Sequence, residues 1–279
     1  IGVAYYGFGV VQVAAIAVVS ALVWQVLLQK AMHKPVCLAN MTTVVSALLL
    51  AMIRPPGLPW WAICVGTLIM VLLGMEIYGG YGNNPFNGVL IAWVVLQISF
   101  PAAMSSWAYP PGELMTINTP LQVLQEDGPF FVNEFFSFSD LLMGRTVGFA
   151  GQTSALFLLL GGLFLLYRRV ITWHIPVSFL AGVVAFAGLF WAINAEAHAS
   201  PLFHLVAGGT MISAFFLATD FPSSPVTKTG MLLYGFSAGV LTVVIRIWGQ
   251  WPDGAFFAVF LMSMLTPLLD KIAPRVYGR

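Results

Sequence analysis

Two residues of opposite charge, Glu76 and Arg246, each close a long apolar run and each precede a glycine turn, Glu76-Ile77-Tyr78-Gly79 and Arg246-Ile247-Trp248-Gly249. A charge inside a hydrocarbon layer is costly unless paired or hydrated, so an ionisable group there is a functional candidate. Their matched positions predict that they pair with each other across a pseudo-symmetry axis. The competing reading is interfacial, with both side chains snorkelling into headgroups. Asp220 follows Ala218-Thr219 and precedes Phe221-Pro222-Ser223-Ser224-Pro225. A carboxylate beside such a break can cap a helix, coordinate a cation or hold a cofactor hydroxyl. Glu76, Asp220 and Arg246 together make up the candidate ion path. Asp253, in the turn Trp251-Pro252-Asp253-Gly254, reads as a cap on a helix start.

The stretch from Tyr78 to Asn87, Tyr-Gly-Gly-Tyr-Gly-Asn-Asn-Pro-Phe-Asn, lies directly between two apolar runs. In water it would be an ordinary loop. At the end of a membrane helix its amides and open backbone need partners from protein, cofactor or trapped water. Asn84 and Asn87 are therefore candidate cofactor contacts or walls of an ion path. His204, beside Gly208-Gly209-Thr210, could bond the edge of a flavin or haem, although a lone histidine is usually a packing residue. No two histidines have the spacing expected for bis-histidine haem ligation. The only cysteines are Cys37 and Cys64, so four thiolates for an iron–sulfur cluster are not available within this chain, and no metal site is expected. The hydroxyls of Thr116-Ile117-Asn118-Thr119-Pro120-Leu121, taken by spacing alone, are turn formers.

These residues must be positioned by membrane helices. Of 279 residues 59% are hydrophobic and 8% charged, with a mean hydropathy of +0.92. That composition defines an all-α polytopic membrane protein surrounded by lipid. A formal charge of +1 leaves no basic stripe for nucleic acid. Apolar runs lie near Val10–Leu28, Leu58–Tyr78, Gly88–Phe100, Thr153–Tyr167, Ile175–Ile193, Leu202–Ala218, Met231–Trp248 and Gly254–Leu269. About eight to ten membrane segments are expected, with Met41–Ile53 and Gly88–Phe100 as half-helices or broken helices.

The chain reads as one transmembrane domain, residues 1–279, with an internal duplication. Thr43-Val44-Val45-Ser46-Ala47 parallels Thr210-Met211-Ile212-Ser213-Ala214, Glu76 parallels Arg246, Gly88 parallels Gly254, and Pro101 parallels Pro267. These matches mark a first repeat core over 38–101 and a second over 202–270. Residues 102–140 hold five of the ten acidic residues and no Lys or Arg, whereas the basic residues collect at Lys30 and Lys34, Arg168 and Arg169, and Lys271, Arg275 and Arg279. The positive-inside rule then places the C-terminus in the cytoplasm and 102–140 outside it. The chain starts at Ile1, and Ile1 to Phe8 reads as the end of a helix, so further N-terminal sequence is expected.

The run Tyr78 to Asn87 leading into Ile98-Ser99-Phe100-Pro101, with Gly151-Gln152-Thr153-Ser154, Thr172-Trp173-His174-Ile175-Pro176, Gly208-Gly209-Thr210-Met211, Ala218-Thr219-Asp220 and Pro252-Asp253-Gly254-Ala255-Phe256, resembles the RnfD component of Rnf electron-transport complexes. The NqrB component of the sodium-pumping NADH:quinone oxidoreductase is similar to that family. The resemblance covers nearly the whole chain and implies a fold like that of urea transporters. It also implies a subunit of an ion-translocating complex in the bacterial cytoplasmic (inner) membrane, carrying electrons through FMN and helping couple them to cation transport.

In that family FMN is joined through its phosphate to the threonine of an S-G-A-T-P-L type motif on the outer side. The resemblance makes Thr119 the attachment residue, with Thr116 beside it and Glu113 as the preceding acid. Ile117 and Asn118 replace the motif's Gly and Ala. Riboflavin is a further cofactor that the resemblance brings into consideration. Implied partners are other membrane and peripheral subunits, and membrane lipid. The alternatives are a transporter or channel without redox work and a structural anchoring subunit with the same fold.

Overall fold

The computed structural model describes residues 2–3, 7–36, 41–55, 57–80, 82–105, 118–149, 151–152 and 154–272. Cys37, Tyr81, Glu113, Thr116, Arg275 and Arg279 lie outside the described residues. Helix α1, Gly9–Ala31, has 23 residues, about 35 Å at the helical rise and enough to cross a hydrocarbon core. Its buried positions are Ala17, Ala21, Gln25 and Gln29, a single stripe at four-residue spacing. The rest of α1 is left largely to lipid.

Helix α2, Thr42–Met52, is followed by the prolines that stop it, and α3 runs Trp60–Val71. α3 continues as a π-helical turn, Leu72–Glu76, closed by Ile77 N–H donating to Leu72 O at 3.1 Å. Helix α4, Gly88–Ser99, is capped by Asn87, whose side chain accepts from the N–H groups of Val89 and Leu90. Short helices follow at α5 (Pro101–Met104), α6 (Pro120–Glu126), α7 (Pro129–Phe135) and α8 (Phe138–Met143). The first three begin on proline, whose missing N–H is unneeded in a first turn.

Helices α9 (Ala155–Tyr167) and α10 (His174–Ile193) lead to α11 (Pro201–Val206) and α12 (Thr210–Ile212). α12 runs directly into a second π-helical turn, Ser213–Leu217. Helices α13 (Lys228–Trp248) and α14 (Ala255–Leu269) complete the chain. Among the described residues there is no strand. Among the described residues three helices, α1, α10 and α13, are long and apolar enough to cross a membrane, and five shorter apolar helices accompany them. This is an all-α polytopic membrane protein, as its composition requires.

The expected half-helices at Met41–Ile53 and Gly88–Phe100 are found within a residue of their bounds. The run Leu202–Ala218 needs correction, since it is interrupted at Ala207-Gly208-Gly209, with Gly208 at φ 65°. Met41, just before α2, adopts φ 54°. Met41 and Gly208, both left-handed, each stand two residues before a threonine, Thr43 and Thr210.

Small residues hold the helices together. α10 and α13 pack closely through Ser178 and Gly182 on one side and Gly235 and Gly239 on the other, where any added Cβ at Gly182, Gly235 or Gly239 would strike the facing helix. This is the small-xxx-small contact that replaces hydrophobic driving force inside a bilayer. Between the halves, the Trp93 ring of α4 sits edge-on to Phe256 and Phe257 of α14, at 4.8 and 5.1 Å between centroids. Asn87 Nδ2 also donates to Leu217 O at 3.1 Å, across 130 positions of sequence.

Candidate functional site

A cavity of about 380 Å³ opens where the end of α4, the start of α6, the segment around 146–152, the α11–α12 break and the loop before α14 converge. Thr119 lines it. The residue is 9% exposed and caps α6. Its Oγ1 accepts from Gln122 N–H at 3.3 Å, while Gln122 Oε1 accepts from Thr119 N–H at 2.8 Å. This reciprocal box, with Pro120 as first helical residue, fixes the hydroxyl at the wall. Turn-forming chemistry and the candidate attachment position therefore meet in one residue.

Two further lining residues carry buried polar atoms without a hydrogen-bond partner among the described residues, Trp93 Nε1 and Gln152 Oε1. One can only donate and the other only accept. Buried groups of this kind normally have partners, which makes these two the residues on the cavity with hydrogen-bonding capacity to spare. Neither residue stood out in the sequence as a site. A tryptophan in an apolar helix reads as packing, and Gln152 appeared only within a longer block of resemblance.

Beside this cavity Arg246 is tied down by a polar cluster. Its Nη1 donates to His204 O at 2.8 Å, and its Nη2 to Ala207 O at 3.0 Å, Thr210 Oγ1 at 2.8 Å and Asp253 Oδ1 at 3.2 Å. Asp253 accepts in addition from Gly209 N–H at 2.6 Å and Ala255 N–H at 3.3 Å. It is thus a cap, as expected, and also the counter-charge of a buried guanidinium. The fork geometry of arginine suits several acceptors at once. The network pins the α11–α12 break against the loop before α14.

The expected Glu76–Arg246 pair does not form. Glu76 is 3% exposed, accepts from Gln29 Nε2 at 2.8 Å and pairs with Lys34 at 3.1 Å. Lys34 Nζ also donates to the backbone oxygen of Glu76 at 2.5 Å. Each charge has found a different opposite charge, Lys34 for Glu76 and Asp253 for Arg246. Both are buried, so the snorkelling alternative fails as well.

The remaining predicted residues divide. His204 contributes its backbone oxygen to Arg246 and Thr210; its ring is buried at 3% exposure with Nδ1 unpartnered and is not part of the cavity lining. Asn84 closes a local turn, accepting from Gly82 N–H and donating to Phe86 O. Asn87 caps α4 and clasps Leu217. Neither asparagine lines the cavity. Asp220 accepts from Ser223 Oγ at 2.9 Å, and among the described residues no hydrogen bond or ion pair joins it to Glu76 or Arg246.

Long apolar helices, a break at Ala207–Gly209 and a polar-edged cavity define a polytopic all-α membrane protein. The chain belongs to the NQR2, RnfD, RnfE family, whose pattern matches residues 1–278. The RnfD protein of the ion-translocating oxidoreductase complex of Pseudomonas paraeruginosa is 42% identical over 257 residues, covering 85% of this chain and 74% of that protein. Proteins of the same name from Cellvibrio japonicus and Alcanivorax borkumensis are 35% and 38% identical, each over 98% of this chain and 85% and 86% of their own length.

Proposed function

We propose that this protein is the flavin-bearing membrane subunit of an Rnf-type ion-translocating oxidoreductase complex, with FMN held in the outer cavity through Thr119. The observation that carries this reading is the position of Thr119 on a cavity that also holds an orphaned donor and an orphaned acceptor. The pyrimidine edge of an isoalloxazine ring carries both carbonyl acceptors and an N–H donor, which is the complement of Trp93 Nε1 and Gln152 Oε1. The cavity volume of about 380 Å³ falls within the range of small-molecule sites. When bound, FMN supplies one-electron transfer.

The residues of the chain bind and orient. Thr119 Oγ1 is presented by the α6 cap as the oxygen of a phosphoester. Trp93 and Gln152 fix the ring edge, and the Arg246–Asp253 network holds the wall. The same reading places 102–140 on the outer face of a bacterial inner membrane, the C-terminus in the cytoplasm, and partner subunits on neighbouring faces. The basic residues Lys30, Lys34, Arg168, Arg169 and Lys271 and the acidic outer segment support that orientation. Coupling to a cation would use the interrupted helices, with Asp220 and Glu76 at their ends, as elements whose arrangement depends on flavin state.

The test is in-gel flavin fluorescence of the denatured chain purified from cells that contain a flavin transferase. Wild type is expected to fluoresce after acid precipitation, Thr119→Ala to be dark, and Thr119→Ser to retain signal. A dark wild-type chain would overturn covalent attachment and turn the reading toward the non-redox transporter or the anchoring subunit.

A further inference from the structure

At the end of the bundle away from the cavity, four helix ends come together. α10 and α13 run side by side in the same direction: Thr172 Oγ1 donates to Met231 Sδ at 3.5 Å, Ile175 and Ser178 face Gly235, and Phe186 and Phe190 meet the Trp248 ring. α14 returns beside them, with Leu269 next to Gly230 and Asp270 Oδ1 accepting from Val226 N–H at 2.8 Å. The link Arg168–Trp173 brings the end of α9 to the start of α10. The 21 residues of α13 set this end about 32 Å from Trp248, roughly one hydrocarbon thickness from the cavity side.

Four cations gather there. Arg168 and Arg169 lie just past α9, Lys228 is the first residue of α13 and Lys271 lies just past α14. All four are exposed. Among the described residues none of them makes an ion pair, since the pairs formed are Lys34–Glu76 and Arg246–Asp253. The carboxylates of the linkers before α13 and after α14, Asp220 and Asp270, accept instead from Ser223 Oγ and Val226 N–H. The positive charge of this end is left uncompensated.

Helix dipoles do not account for the set. A cation suits the C-terminal ends of α9 and α14, but Lys228 stands in the first turn of α13, where positive charge is unfavourable. Arg169 has φ 56°, a conformation that glycine takes freely and arginine takes at a cost. Between the cations the surface is apolar. Tyr167, Val170, Trp173 and Val226 are 84%, 68%, 55% and 75% exposed, and the Trp173 ring is braced by stacking on His174 at 4.1 Å. Exposed aromatic rings among cations mark the headgroup level of a membrane protein.

We propose that this end of the bundle binds an anionic phospholipid, its phosphate held by Arg168, Arg169, Lys228 and Lys271 and its acyl chains lying against Tyr167, Val170 and Val226. An acidic soluble partner would answer only the cations. A phospholipid carries its anion and its hydrocarbon in one molecule, which is the pairing that these alternating side chains present. The inference stands apart from the flavin reading of the cavity.

The experiment offers the full chain in detergent either phosphatidylglycerol or phosphatidylcholine of matched acyl chains, and native mass spectrometry gives the affinity of the first lipid bound. A basic residue near an anionic lipid contributes roughly fivefold, so wild type is expected to prefer phosphatidylglycerol by at least about 25-fold. Arg168→Gln, Arg169→Gln or Lys228→Gln alone should reduce that preference about fivefold, and the variant with all four cations changed to Gln should bring it to within about twofold. Unchanged phosphatidylcholine affinity shows that each variant folds. Arg145→Gln, which removes an exposed charge beside the cavity segment, should leave the preference intact.

Equal affinity of wild type for both lipids, a preference that survives the fourfold variant, or a loss as large in Arg145→Gln overturns the proposal. If wild type shows no lipid preference and the fourfold variant no longer co-purifies with another subunit, the surface is a protein contact and the proposal fails as well.

Discussion

Replacing Arg246 with methionine removes the centre of a cluster, and the structure allows the size of the effect to be worked out contact by contact. The side chain is 1% exposed and its partner Asp253 13%, so this is a buried pair. Removing one partner of such a pair costs about 3–5 kcal/mol. The carbonyls of His204 and Ala207 lose a donor and are left to share the single proton of Thr210 Oγ1, at 2.8 and 3.2 Å. That sharing limits their loss without removing it. Asp253 keeps the N–H groups of Gly209 and Ala255, which lowers the cost of its lost counter-charge.

The expected destabilisation is therefore near the lower end, about 3 kcal/mol. Asp253→Asn should cost less, because an amide oxygen at the Oδ1 position can still accept from Ala255 and Arg246, although Gly209 N–H, which bonds Oδ2, loses its acceptor. The double variant should recover at least about 1 kcal/mol relative to the sum of the singles, the coupling expected of groups in contact. Reversible unfolding of the purified chain in mixed micelles measures all three. Single effects that add to within about 0.5 kcal/mol would refute the assignment of Asp253 as the counter-charge.

Three further outcomes follow from the packing. Asn87→Ala should destabilise by about 2 kcal/mol, the sum of a lost cap and a lost buried hydrogen bond; Asn87→Asp keeps the cap but sets a buried carboxylate oxygen against Leu217 O and should be no more stable than Ala in the same unfolding assay. Lys34→Met should cost about 1–3 kcal/mol by leaving Glu76 charged and buried, and adding Glu76→Gln should restore most of it, since the neutral amide can still accept from Gln29. Gly239→Val drives a side chain into the backbone oxygen of Phe179 and should cost more than about 1–3 kcal/mol, whereas at Gly188 the nearest atom to an added Cβ is 3.6 Å away and Gly188→Ala should be neutral or stabilising; thermal unfolding of the two side by side checks the contrast.

Much of the architecture was legible because in a bilayer composition and interruption carry the signal. Charges and prolines delimit α1, α3, α10 and α13 within a few residues. The break at Ala207–Gly209 was hidden inside an uncharged run, where paired glycines carry no hydropathy signature; only the left-handed turn at Gly208 reveals it. The matched positions of Glu76 and Arg246 in the sequence suggested a pair, but similar placement is not contact. Their partners, Lys34 and Asp253, are other residues.

The site was legible in part. Thr119 stood out through a motif, and its cap geometry agrees with the Thr-Pro pair. Trp93 and Gln152 could not be singled out by residue type, because what distinguishes them is the lack of a hydrogen-bond partner among the described residues, a property that exists only once the chain has folded.

The clasp between Asn87 Nδ2 and Leu217 O also bears on how the chain is made. Residue 87 leaves the ribosome long before residue 217, and through that interval its amide donor faces a bilayer with no acceptor supplied from that position. Water at the insertion machinery must serve until the second half arrives. The first half is thus complete as a set of helices before it is complete as a hydrogen-bonded structure, and a nascent chain halted before Leu217 should remain open to solvent-exchange labelling at Asn87, closing only when synthesis has passed the second π-helical turn.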